Sequence, residues 1–258
     1  MAGSSQPGRS AASRLFAVLN AFDHSRPTMN LTGISNAAEL PIATTFRIVG
    51  ELVNAGAIER NDDGTYQVGL RLWEIGSLAP RQRDLRRVAR PLMENLYEVA
   101  NETVQLAVPD RDSAVCVEKI SGTRSASNVS EVGGPLPLHA SAVGKVFLAF
   151  CEMADGAVSF PTELRAFTPK TIVDPAVLET ELQRVRTQFV GLSREEFTLR
   201  TWSVAAPVFD DEMRLVAALG ILTRFPAALR QLGLAVRTAA LTISQRMGYR
   251  ASNWPAAR

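Results

Sequence analysis

Apolar residues in the first eighty positions recur at helical spacing. Leu15, Val18, Leu19 and Phe22 fall at i, i+3, i+4 and i+7 and predict a helix with one buried stripe. A second short helix is predicted over 31–38. The dipeptide Leu40-Pro41 ends it, because proline drives the residue before it out of the helical region while itself fitting a first helical turn. Thr45, Ile48, Val49 and Leu52 then repeat the same spacing, and Asn54-Ala55-Gly56 supplies a stop. Residues 57–60 and 65–68 read as strands joined by the tight turn Asn61-Asp62-Asp63-Gly64. Three helices and a hairpin in this order predict a winged helix-turn-helix.

Two more helices, 70–78 and 84–100, are predicted to join the halves of the chain. The second carries Leu85, Val88, Leu92, Leu96 and Val99 on one side, a stripe suited to pairing with another copy. After Glu102 the period shortens to two: 103–108 and 114–120 read as strands around Pro109-Asp110-Arg111-Asp112. Asp174-Pro175 opens a helix bearing Leu178, Leu182, Val185 and Phe189. Strands over 202–209 and 215–222 flank a charged hairpin, and 227–247 forms a last amphipathic helix. The expected class is α+β, with an N-terminal winged helix-turn-helix joined by a linker helix to a C-terminal α/β domain. The boundaries expected are a disordered tail at 1–12, the winged domain at 13–72, the linker at 73–90 and the last domain at 91–250.

The segment 133–151, GGPLPLHASAVGKVFLAFC, hands a proline-bearing turn to an apolar helix through small residues. Such a helix start offers free N–H groups and room for a carboxylate or phosphate. It also fits a tight turn packed into a core, and the residues alone leave both readings open.

A chain of 258 residues, 46% hydrophobic, can bury a substantial core. No apolar run approaches the roughly 18 residues that cross a bilayer, and the first residues lack the apolar middle of a secretory signal, so a cytoplasmic protein with no membrane partner is expected. The two cysteines and two histidines lie far apart, without zinc-site spacing, and no cofactor is expected. His139 reads as a buried, hydrogen-bonded cap. Gly144-Lys145 is followed by Val146 and so fails as a phosphate loop, and Glu195-Glu196 reads as a solvated pair. With no GxSxG or cysteine-centred motif either, the chain is not expected to be an enzyme. Formal charge is only +2, and residues 1–80 hold six arginines against seven acids, which is not the strongly basic surface of many nucleic-acid domains. The cluster Arg81, Arg83, Arg86, Arg87 and Arg90 follows just after.

Once the core stripe of the third helix is removed, Ile42, Ala43, Thr44, Phe46, Arg47 and Glu51 remain to face a DNA groove. Arg47 can chelate guanine O6 and N7 or hold a phosphate. Thr44 can reach a base edge or a phosphate, and Ala43 or Phe46 can pack on a thymine methyl. Arg60 and Thr65 would bracket the wing and touch the sugar-phosphate backbone.

At these residues the chain resembles bacterial IclR-type transcriptional regulators, from about Arg14 to Met247. The resemblance rests on LPIATTFRIVGELVNAGAIER with DGTYQVGLRLWEIG, ARPLMENLYEVANETVQLAV, LPLHASAVGK, and GLSREEF with SVAAPVFD. It implies a winged helix-turn-helix and a linker helix that pairs subunits. It also implies a C-terminal effector-binding domain with a curved antiparallel sheet, which couples a small organic acid to the binding of palindromic operators as dimers or dimers of dimers. Carried over residue by residue, effector contacts fall at Ser125, Asn128, Ala142, Val143, Ser193, Thr201, Ser203, Gly220 and Leu222. Strand alternation supports this, since Thr201 and Ser203, like Gly220 and Leu222, are two apart. The chain departs from the family pattern at Ile42-Ala43, where a polar or basic residue and serine are usual. It departs again at Leu199-Arg200-Thr201, and at Gly220-Ile221-Leu222, where a serine-rich ending is common. The more apolar wall predicts a larger acid, aromatic or amide-type, as effector. The function expected is a ligand-responsive regulator of a catabolic operon. The rival is a small-molecule sensor whose winged domain contacts proteins.

Overall fold

A computed structural model describes residues 9–23, 25–122, 131–150, 152, 156 and 158–250. The chain divides into two compact units between Arg83 and Asp84.

In the first unit, α1 (Ala11–Leu19), α2 (Leu31–Ala38) and α3 (Ile42–Asn54) pack around Val18, Ile34, Ile48, Val49 and Leu52. Ser10 caps α1 by accepting from the Ser13 N–H, and Asn30 caps α2 by accepting from Gly33. The stripe expected on α3 is the one buried: Thr45, Ile48, Val49 and Leu52. Gly56, at φ +70°, turns the chain into β2 (Ile58–Arg60), which pairs with β3 (Tyr66–Val68). The unit differs from expectation in two places. α1 stops at Leu19, so Phe22 packs from beyond the helix, and the two-residue strand β1 (Thr28–Met29) adds a third, antiparallel member beside β3. Helix α4 (Leu70–Ser77) follows and buries none of its side chains.

Helix α5 (Pro80–Ala100) leads into the second unit. Its buried face is not quite the one expected: Leu85, Ala89, Met93 and Leu96 are buried, Val88 and Leu92 are half-buried, and Val99 is 86% exposed. The contact face has rotated toward Ala89 and Met93, which join Leu85 and Leu96 in the cluster shared with the sheet. Six antiparallel strands form a curved sheet in the order β6 (Pro135–Pro137), β5 (Ser113–Ile120), β4 (Thr103–Asp110), β9 (Leu215–Thr223), β8 (Trp202–Phe209), β7 (Gly191–Arg194). One face carries Val104, Leu106, Val204, Ala206, Leu219 and Ile221 against α5 and α8 (Leu229–Arg246). The other carries Ala107, Cys116, Ala205 and Ala218 against α6 (Ala142–Ala149), beyond which lies α7 (Pro175–Gln188). Small residues on that side let α6, buried along its whole length, reach the strands.

Candidate functional site

In the first unit, α3 has Pro41 at its N-cap and no capping side chain, so its first-turn N–H groups stay open beside Ile42, Ala43 and Thr44. Ile42, Ala43, Phe46, Arg47 and Glu51 are exposed and Thr44 is half-buried; Phe46 is 64% exposed. This is the face left over once the core stripe is buried, as the sequence predicted. Arg47 Nη1 donates to Glu51 Oε1 at 2.7 Å, one turn along the helix. In the wing, Asp63 accepts from the Thr65 hydroxyl at 2.6 Å and from its N–H at 2.9 Å, while Asn61 donates to Thr65 Oγ1. These bonds hold the Asp63 carboxyl below the usual carboxylate range, the Thr65 hydroxyl contributing most. They tie Thr65 into the turn, whereas Arg60 stands exposed at the end of β2.

In the second unit, Gly220 lies against the first turn of α6 and Ser193 against the residues just before it. The α6 N-cap is Ser141, not His139: its Oγ accepts from the Gly144 N–H at 3.0 Å and donates to the Pro137 carbonyl at 2.7 Å. His139 is buried and hydrogen-bonded as expected, but through Nε2 to the Arg165 carbonyl at 2.9 Å. Ala142 and Val143 are buried, and their N–H groups have no acceptor among the described residues. Glycines let this turn come close to its surroundings. A Cβ at Gly144 would lie 2.4 Å from the Leu138 carbonyl, one at Gly191 2.6 Å from the Ala142 carbonyl, and one at Gly220 3.1 Å from Val143 Cγ1.

The strand register sets the polar groups around that turn. Ser193 pairs with Ser203, Ser203 with Leu222 and Leu222 with Thr103, so these four form one row on the α6 face of the sheet. Gly220, two positions along, pairs with Ala205 and Gln105. Ser193 Oγ is committed to the Ala140 carbonyl at 2.8 Å, while the Ser203 hydroxyl makes no hydrogen bond among the described residues. Thr103 Oγ1, at the end of the row, is fully buried without a partner. Neither Thr103 nor Gln105 is visible from the sequence, because only strand pairing brings β4 beside β9. Thr201 lies one residue before β8, which begins at Trp202, and its carbonyl accepts from the Glu195 N–H. Ser125 and Asn128 lie outside the described residues.

Glu195-Glu196 is a second correction. Glu196 is buried, and Lys145 Nζ reaches its two oxygens at 2.7 and 2.6 Å and the Leu192 carbonyl at 3.0 Å. Burial is the largest influence on Lys145 and lowers its pKa, with Glu196 opposing. Glu195 pairs with Lys170 at 2.7 Å, and the Thr168 and Thr171 hydroxyls donate to the two glutamate carbonyls. The pair thus fastens the chain after β7 to α6, against the solvated reading. Among the described residues no cluster of metal-ligating side chains occurs, and no helix is long and apolar enough to cross a membrane.

Two family models match the chain: the IclR helix-turn-helix domain over residues 11–62, and the bacterial transcriptional regulator IclR C-terminal domain over residues 78–245. The HTH-type transcriptional regulator KipR of Bacillus subtilis is 32% identical over 90% of this chain and 95% of its own. The HTH-type transcriptional repressor AllR of Salmonella typhi is 32% identical over 84% and 80%. Among solved structures, an IclR homolog from Microbacterium hydrocarbonoxydans complexed with 4-hydroxybenzoate superposes with a TM-score of 0.81 at 30% identity, covering 92% of this chain and 99% of that one. The Thermotoga maritima IclR gives 0.69 at 25% identity, covering 92% and 98%.

Proposed function

The chain belongs to the IclR family of bacterial transcriptional regulators, and we propose that it controls a catabolic operon by coupling operator binding to an organic acid held against α6. The observation that carries this reading is the pair of buried N–H groups at Ala142 and Val143, without an acceptor among the described residues, over the sheet face that carries the Ser203 hydroxyl. A carboxylate satisfies such N–H groups and the positive end of the helix together. Ser203, with Leu222 next to it in the row and Gly220 two residues along, then offers one hydroxyl and much apolar surface, which suits an aromatic or longer acid better than a two-carbon one. The 4-hydroxybenzoate in the Microbacterium homolog points the same way. Ser193 holds the α6 turn in place through Ala140, and Thr201, Ser125 and Asn128 would contribute from the connecting segments.

On DNA, α3 enters the major groove with Arg47 on guanine, Thr44 on a base edge or phosphate, and Ala43 and Phe46 on thymine methyls. Arg60 and the Thr65 backbone grip phosphates at the wing. The unburied helix α4, with Trp73 69% exposed beside Leu70, Ile75 and Leu78, supports self-association as a dimer or dimer of dimers. The protein would act in the cytoplasm.

Fluorescence anisotropy of the full chain on labelled DNA from upstream of its own gene, over a salt series and with a panel of aromatic and aliphatic acids, tests this reading. Sequence-preferring, salt-sensitive binding that an aromatic acid shifts is the expected result. Binding that never exceeds the non-specific level, or that only glyoxylate or pyruvate shifts, would overturn the regulator or the effector class respectively.

A further inference from the structure

We propose that the second unit holds another ligand site, for an apolar organic anion, on the opposite face of β7 from the α6 pocket. A cleft of about 950 Å³ opens there between the α7–β7 connection and the first turns of α8. Alternation along β7 separates the two sites. Gly191 and Ser193 point to α6, one close to the Ala142 carbonyl and the other bonded to Ala140, while Val190, Leu192 and Arg194 line the cleft. Helix α8 lies chiefly over β8 and leaves this edge of the sheet open.

The lining has the composition of a site for an anion with an apolar body. Val190 and Leu192 form an apolar floor, and Gly233 of α8 leaves it unobstructed: a Cβ there would meet Val190 Cγ1 only at 3.7 Å. Arg194, Arg230 and Arg237 line the cleft, with no carboxylate among the lining residues. Arg230 and Arg237 are seven apart and share one face of α8 with Gly233. Arg230 has no hydrogen bond or ion pair among the described residues, and Arg237 donates only to the Gln188 carbonyl at 3.3 Å. Arg194 has only Glu181, 4.0 Å away and also held by Arg184. Three guanidiniums over an apolar floor, two of them without an acidic partner, match a carboxylate or sulfonate carried on an aryl or alkyl group. What the α6 pocket binds does not enter this inference.

Anilinonaphthalene sulfonate, an aryl anion that fluoresces when shielded from water, is the probe. It is titrated into the full chain by fluorescence and calorimetry. We expect one saturable site per chain in this cleft, weakened roughly tenfold or more by Arg230→Glu with Arg237→Glu, and likewise by Gly233→Leu. Circular dichroism confirms that each variant is folded. Arg71→Glu with Arg87→Glu, an equal change of charge elsewhere, should leave the dye affinity within about twofold. Ser203→Phe, which fills the α6 pocket, should leave it unchanged. Unaltered dye binding in both cleft variants overturns the site, as does loss in Ser203→Phe alone. So does a fall in sedimenting mass in the cleft variants with dye affinity unchanged, which would make this face a contact between copies.

Discussion

Lys145 Nζ sits between the two carboxylate oxygens of Glu196, at 2.7 and 2.6 Å, with both side chains out of contact with solvent. Removing one partner strands a charge in the core. Lys145→Met or Glu196→Leu is therefore expected to cost about 3–5 kcal/mol, and the two together much less than the sum. Urea denaturation of the four proteins measures this, and additive losses would mean that the two residues act independently.

Thr103→Val is expected to leave the fold intact and raise stability by up to about 1 kcal/mol, since it removes a buried hydroxyl without a partner and keeps the shape. A loss of stability would show that a buried water satisfies that hydroxyl.

The exposed Phe46 gives a chemical test of base reading. In a high-affinity duplex selected from random DNA, replacing thymine by uracil removes only methyl groups. That change should weaken binding by about 1 kcal/mol or more for the parent protein, and have little effect on Phe46→Ala. Equal sensitivity in both proteins would take Phe46 off the bases.

Ser203→Ala should weaken the acid that shifts DNA binding by roughly tenfold, about 1.4 kcal/mol, while affinity for DNA without that acid stays as it was. Anisotropy titrations with and without the acid separate the two, and a loss confined to DNA affinity would place Ser203 outside the ligand site.

Burial raises the Cys116 thiol to about 11, with Lys119 opposing. At pH 8 it should react with a disulfide reagent far more slowly than an exposed cysteine, and readily once unfolded, as read in a Cys151→Ser background. The native state holds this proton more tightly than the unfolded chain. The stabilising contribution is thus complete below about pH 9.0 and disappears as pH rises through about 11. Fast labelling of the folded chain would mean that Cys116 is accessible.

Local periodicity reveals the winged domain well: the buried stripe of α3 follows from the spacing of Thr45, Ile48, Val49 and Leu52 alone. β1 escapes because two residues carry no period, and only their pairing with β3 defines them. Val99 continues the apolar spacing of α5 and so reads as core, yet the helix turns Ala89 and Met93 inward. The proposed pocket shows the same division. Ala142, Val143, Ser203 and Leu222 lie on elements recognisable in the chain, whereas Thr103 enters through the β4–β9 register. Glu196 becomes a core residue only because a lysine 51 positions earlier points at it. Adjacent acids carry no sign of such a partner.

The glycine contacts around α6 also have a mechanical side. Gly144 lies on the backbone of the preceding turn and Gly191 of β7 on the Ala142 carbonyl, with no flexible side chain between, whereas Gly220 meets the Val143 side chain. A push on the first turn of α6 cannot be taken up by rotamer changes at Gly144 or Gly191. The preceding turn, the helix start and β7 are therefore expected to shift together, which would carry a displacement there to the edge of the sheet.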